Sequence, residues 1–219
     1  MPTYFRREPG IESSNGQAAP HLLIMNVTPG EDSKAVLRRE AVARRDALPA
    51  VTRAAAADTL AARPFPLPLA PGVVVSAFMP LKYELDPLPL LRKLVGEGAR
   101  LVLPVVIGRG KPLVMREWAF GEPLAQGVWG IREPAPTAAV VDPDILLVPI
   151  VAFDRTGHRI GYGAGYYDMT IARLRARKPV VAVGVAFAAQ EVPAVPAMPR
   201  DERLDLVLTE REVIDLRGR

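Results

Sequence analysis

The chain has 219 residues, with 28 Lys and Arg against 24 Asp and Glu, two His and no Cys. The length suits one domain with its own core, and a hydrophobic share of 49% with 24% charged residues is ordinary for a soluble globular chain. The absence of Cys excludes disulfides, thiolate nucleophiles, iron–sulfur clusters and Cys zinc sites. His21 and His158 are too few for a His-rich metal centre, and a net charge of +4 without a basic stripe is a poor footprint for nucleic acid.

Residues 1–33 carry Pro9-Gly10, Ser13-Ser14-Asn15-Gly16 and Pro29-Gly30 and read as a flexible tail. Residues 34–219 read as one domain. Ser33 opens a helix to about Leu48, with Leu37, Ala41 and Leu48 near one face, and Pro49 opens an Ala-rich helix to about Arg63. Residues 73–78 are rich in β-branched side chains and predict a strand. The spacing over 87–97 predicts a helix with Leu88, Leu91, Leu94 and Val95 facing inward. A strand over 101–107 ends at the Gly108-Arg109-Gly110 turn, and 113–118 reads as a shorter strand or hairpin arm. After a Pro-rich loop at 134–143 come a buried strand at 145–150, a helix at 165–177, a buried strand at 180–187 and a last short strand at 205–209. Unbroken apolar runs alternating with helices predict an α/β domain. Its sheet is mainly parallel, with helices on both faces in three layers. The longest apolar runs reach about ten residues, short of the roughly 20 that cross a bilayer. No signal peptide is expected, and a chain without Cys fits the cytosol, so the expectation is cytoplasmic.

Ligands in such folds sit at the carboxyl ends of the strands. The most informative stretch follows the 145–150 strand: Phe153-Asp154, then Gly157-His158-Arg159-Ile160-Gly161-Tyr162-Gly163-Ala164-Gly165-Tyr166-Tyr167-Asp168. Alternating Gly161, Gly163 and Gly165 let the backbone approach a ligand, and the N–H groups of the next helix face the same space. That is an anion site, with Arg159 as a fixed cation, or else a tight strand-to-helix connection. The spacing matches neither a Walker A loop nor a dinucleotide fingerprint. Asp168 either caps the helix or holds a magnesium ion.

This stretch resembles the signature of the 5-formyltetrahydrofolate cyclo-ligase family. Weaker support comes in order from segments 34–38, 78–86, 129–134, 183–190 and 201–210, so the resemblance spans about 33–212. It implies ATP- and magnesium-dependent closure of 5-formyltetrahydrofolate to 5,10-methenyltetrahydrofolate with release of ADP and phosphate. The formyl oxygen is phosphorylated, the nitrogen at position 10 attacks, and no covalent protein nucleophile is needed.

By the same resemblance, ATP meets Lys34, Arg38, Arg159, Ile160, Gly161, Tyr162, Gly163, Ala164, Gly165, Tyr166 and Tyr167. The folate meets Met79, Glu84, Trp129, Tyr162 and Tyr166. Asp168 and Asp201 hold the metal, and Arg159, Tyr166 and Asp168 are the catalytic set. Locally each residue has a plainer reading. Lys34 and Arg38 lie four apart on one helix face that solvent could cover. Glu84 could be a surface or capping acid, Trp129 a packing residue and Asp201 an ordinary charged loop residue. Arg200 stands where the family commonly has His, and Met169 where it often has Arg. The partners implied are folate and ATP, with no nucleic acid or membrane, in a monomer or weak homo-oligomer. The rivals are a same-fold paralogue with another substrate, a sugar-phosphate or CoA-transferase-like enzyme without ATP, and a basic RNA-binding module.

Overall fold

Side chains pointing alternately to opposite faces organise the computed structural model, which describes residues 33–218. The tail reading for residues 1–32 falls outside the described residues, as does the side chain of Trp129. The helices are α1 (Ser33–Asp46), α2 (Ala50–Ala62), α3 (Leu88–Gly96) and α4 (Tyr166–Arg175). The strands in chain order are β1 (Val74–Ser76), β2 (Arg100–Val105), β3 (Val114–Glu117), β4 (Ala125–Gln126), β5 (Arg132–Glu133), β6 (Ile145–Pro149), β7 (Ala152–Phe153), β8 (Arg159–Ile160), β9 (Val181–Val185), β10 (Leu206–Leu208) and β11 (Val213–Asp215).

Among the described residues a seven-stranded sheet runs in the order β11-β10-β9-β6-β1-β2-β3. Neighbours from β10 through β2 are parallel, and the two edge strands β11 and β3 are antiparallel. On one face Val75, Leu101, Leu103, Ile145, Leu147 and Val183 pack under α2 and α3. On the other, Val74, Val102, Leu146, Val148, Ala182 and Val207 pack under Ile171 and Leu174 of α4. Each fully buried Leu of this kind contributes about 1.5–3 kcal/mol. The three-layer expectation holds.

Two readings need correction. In α3 the inward stripe is Leu90, Leu91 and Leu94, with Leu88 half-buried against the same core and Val95 41% exposed. The helix rolls so that three Leu side chains meet the sheet, and Val95 falls beyond the stripe's edge. The strand at 205–209 is also not the last, because β11 turns back along β10 to close that edge.

The chain leaves β1 through α3 to reach β2 on one side, whereas β6 joins β1 on the other. That reversal of strand order opens a crevice beyond the carboxyl ends of β1 and β6. The β7–β8 hairpin and α1 stand over it, joined by a small core of Ala41, Val151, Ala152, Ile160, Val192 and Val195.

Candidate active site

The crevice is a cavity of about 520 Å³. Its floor is the ends of the central strands: Phe78 and Met79 beyond β1, Pro104 and Val106 at β2, and Pro149 at β6. The same cavity takes Lys34, Arg38, Glu84, Arg159, Ile160, Gly161, Tyr162, Gly163, Ala164, Gly165, Tyr166, Tyr167, Asp168 and Asp201 in its lining. The structure therefore gathers the sequence-expected site residues from distant parts of the chain into one wall. Trp129 lies on a short 3-10 turn, Val128–Gly130, and only its backbone belongs to the described residues.

Local chemistry explains how each piece is placed. The buried Asp154 carboxylate accepts hydrogen bonds from Thr156 N (2.8 Å), Thr156 Oγ1 (2.7 Å), His158 N (3.1 Å) and Val195 N (2.8 Å). These bonds outweigh the cost of burial and hold its pKa below the usual carboxylate range. They also fix the hairpin from which Arg159 emerges. Past it, Gly163 (φ 98°) and Gly165 (φ 69°) adopt left-handed backbone, a conformation that disfavours other residues. No side chain caps the first turn of α4. Asp168 is accordingly not the cap. Its Oδ1 accepts from Arg159 Nη2 at 2.7 Å and from Glu202 N at 3.1 Å.

The solvated-face reading of α1 fails as well. Lys34 forms an ion pair with Asp201. Arg38 Nε donates to Gly161 O at 2.8 Å, and its guanidinium lies across the loop about 3.5 Å from the space above Gly163. Burial raises the Asp201 carboxyl, but hydrogen bonds from Lys34 and from Met198 N, with the charge of Arg159 nearby, hold it below the usual range. Burial pulls the Arg159 guanidinium down against the support of Asp168.

Glu84 is neither a helix cap nor a free surface acid. Its Oε2 accepts from Leu81 N at 2.8 Å and its Oε1 from the Tyr162 hydroxyl at 2.8 Å. Burial pushes the Glu84 carboxyl above its usual pKa despite both bonds. Burial and the Glu84 charge push Tyr162 up to about 12.

A model of the 5-formyltetrahydrofolate cyclo-ligase family matches residues 30–210. The chain belongs to this family. A cyclo-ligase of Mycolicibacterium smegmatis is 34% identical over 194 residues, covering 84% of this chain and 98% of that protein. One from Escherichia coli K12 is 33% identical over 152 residues, covering 67% of this chain and 82% of its own length. Among solved structures, the 5,10-methenyltetrahydrofolate synthetase of Aquifex aeolicus superposes with a TM-score of 0.69 at 31% identity, covering 85% of this chain and 94% of that one. A synthetase from Mycoplasma pneumoniae shares the fold at a TM-score of 0.63 and 20% identity, covering 82% and 99% of the two chains.

Two features in and beside the cavity of this cyclo-ligase family member were not legible in the sequence. Glu133 is buried in the cavity wall, its Oε1 accepting from Val106 N at 3.1 Å. It lies inside the informative 129–134 segment, but nothing local marks it as turned inward. Gly127 makes its space: a Cβ there would stand 2.2 Å from the Glu133 carboxyl carbon. Arg45, one of several Arg on α1, is 5% exposed and reaches the Tyr162 hydroxyl. Its neighbours Arg39 and Arg44 are exposed, so only the packed structure separates it from them.

Proposed function

We propose that this chain uses ATP to close 5-formyltetrahydrofolate into 5,10-methenyltetrahydrofolate, releasing ADP and phosphate. The observation that carries the reading is that one cavity lining gathers two kinds of chemistry. A glycine loop with Lys34, Arg38 and Arg159 supplies N–H donors and cations suited to phosphates. Apolar side chains with Glu84 and Glu133 suit a flat heterocycle whose N–H donors engage carboxylates. Membership of the cyclo-ligase family supports the same reading.

The chemistry divides accordingly. The formyl oxygen attacks the terminal phosphorus of ATP, and ADP leaves. The nitrogen at position 10 then attacks the formyl carbon, the carbon–oxygen bond breaks, and the proton of that nitrogen departs with phosphate. The protein's work is positioning and charge stabilisation. Lys34, Arg38 and Arg159 take the phosphate charge, and Tyr166 and Met79 flank the folate. Glu84 fixes its orientation.

Asp168 and Asp201 suit magnesium. Each spends one carboxylate oxygen on the protein, and the other has no hydrogen-bond partner among the described residues. No group of three or more acidic or His ligands occurs among the described residues. Two carboxylates completed by phosphate and water oxygens is a common arrangement for this ion. Bound there, magnesium would neutralise phosphate charge and template the transferring group.

The test is near-ultraviolet absorbance of 5-formyltetrahydrofolate mixed with protein, magnesium and ATP. Methenyl product is expected only in the complete mixture. Product without ATP would point to different chemistry, and no product in the complete mixture overturns the reading.

A further inference from the structure

The Tyr162 hydroxyl bridges the loop assigned to nucleotide and the carboxylate assigned to folate. Arg45 Nη1 donates to it at 2.8 Å, and it donates to Glu84 Oε1 at 2.8 Å. Arg45 stands outside the cavity lining, buried, and held by Asp46 Oδ1 through Nε at 2.9 Å and Nη2 at 2.8 Å. A guanidinium only donates, so the hydroxyl must accept from Arg45, and its single proton is left for Glu84. The direction of the chain of bonds is thereby set from the α1 side. We propose that Arg45 is a positioning residue: by orienting the Tyr162 hydroxyl it fixes the Glu84 carboxylate for the folate.

This rests on the reading that Glu84 meets folate. Without Arg45, the hydroxyl is free to rotate and to spend its proton elsewhere, and Glu84 loses both a fixed donor and a nearby positive charge. The groups that face Glu84 are Arg45 from α1, Tyr162 from the glycine loop, Tyr167 from α4 and the backbone N–H of Leu81. Burial already holds Glu84 above its usual pKa, with Leu81, Tyr162 and Arg45 opposing it, so removing Arg45 moves it further up.

The test compares Arg45→Met, Tyr162→Phe, the double variant and Arg45→Lys in the absorbance assay, with thermal scans to confirm folding. Arg45→Met is expected to raise KM for 5-formyltetrahydrofolate about tenfold while KM for ATP changes less than about twofold. The acid limb of kcat/KM for folate moves to higher pH. In the Tyr162→Phe background, Arg45→Met adds less than about twofold, because only the loss of its charge near Glu84 is left once the hydroxyl is gone. Arg45→Lys, which keeps a donor and the charge, recovers most of the loss.

Multiplying effects in the double variant, or parallel rises in both KM values, overturn the proposal. If Arg45→Met does not fold, Tyr162→Phe and Arg45→Lys decide: an unchanged folate KM in Tyr162→Phe overturns it. A wild-type chain that makes no methenyl product overturns the functional reading beneath it. A wild-type chain that turns over beside variants indistinguishable from it overturns the relay alone.

Discussion

In the glycine-loop group of the cavity lining, Lys34 and Arg159 are paired with Asp201 and Asp168, and Arg38 is tied to the Gly161 carbonyl. The same cavity lining holds apolar Phe78, Met79, Pro104, Val106 and Leu113 together with Glu84 and Glu133, neither of which has an ion-pair partner among the described residues. The first group is assembled from α1, the β7–β8 hairpin, α4 and the loop carrying Asp201. Its opposite charges hold one another across these separate elements. The second group combines residues at the ends of β1 and β2 with the loop after β1 that carries Glu84 and the short β5 that carries Glu133.

Asp168→Asn attacks that contrast most sharply. It keeps the side chain's shape but leaves the 5%-exposed Arg159 side chain facing a neutral partner and removes half of the acidic pair. A fall in kcat of about 10²–10³ is expected, with folate affinity unchanged, read by steady-state kinetics beside equilibrium folate binding. Retained turnover would break the division of labour between the two groups.

Gly127→Ala probes the second group. The new methyl group meets the Glu133 carboxylate, whose Cδ lies 2.2 Å from the added atom. Overpacking of this kind costs about 1–3 kcal/mol, which chemical denaturation measures. KM for folate should rise about tenfold while KM for ATP stays put. Parallel changes in both would mean that the groups are not independent.

Acidification separates the groups more gently. Glu84 is raised above the usual carboxylate range, so it protonates first as pH falls, and the folate contacts weaken first. Asp201 is held below that range and stays ionised to lower pH. Between about pH 7 and pH 4, KM for folate should climb at higher pH than KM for ATP. The reverse order in a pH series would contradict the assignment of the two carboxylates.

Much of this molecule was readable in advance, for physical reasons. Helices and core strands announce themselves through repeated apolar spacing, and Pro49 and Gly108-Arg109-Gly110 punctuate them. The two-residue ladders β4–β5 and β7–β8 are too short to carry any period, and β11 has one buried side chain flanked by exposed ones. The glycine loop was legible because its chemistry is contiguous in the chain. Arg45 and Glu133 were not, since each owes its role to partners far away: Tyr162 lies 117 positions from Arg45, and Val106 lies 27 from Glu133. The capping alternative for Asp168 failed for a related reason. A cation from β8 and an amide at Glu202 reach its oxygen, whereas Gly165 starts α4 without any side-chain help.

Lys34 and Asp201 stand 167 positions apart. Their ion pair clasps the first helix to the loop before β10, so two segments remote in sequence are bound to each other at the cavity rim.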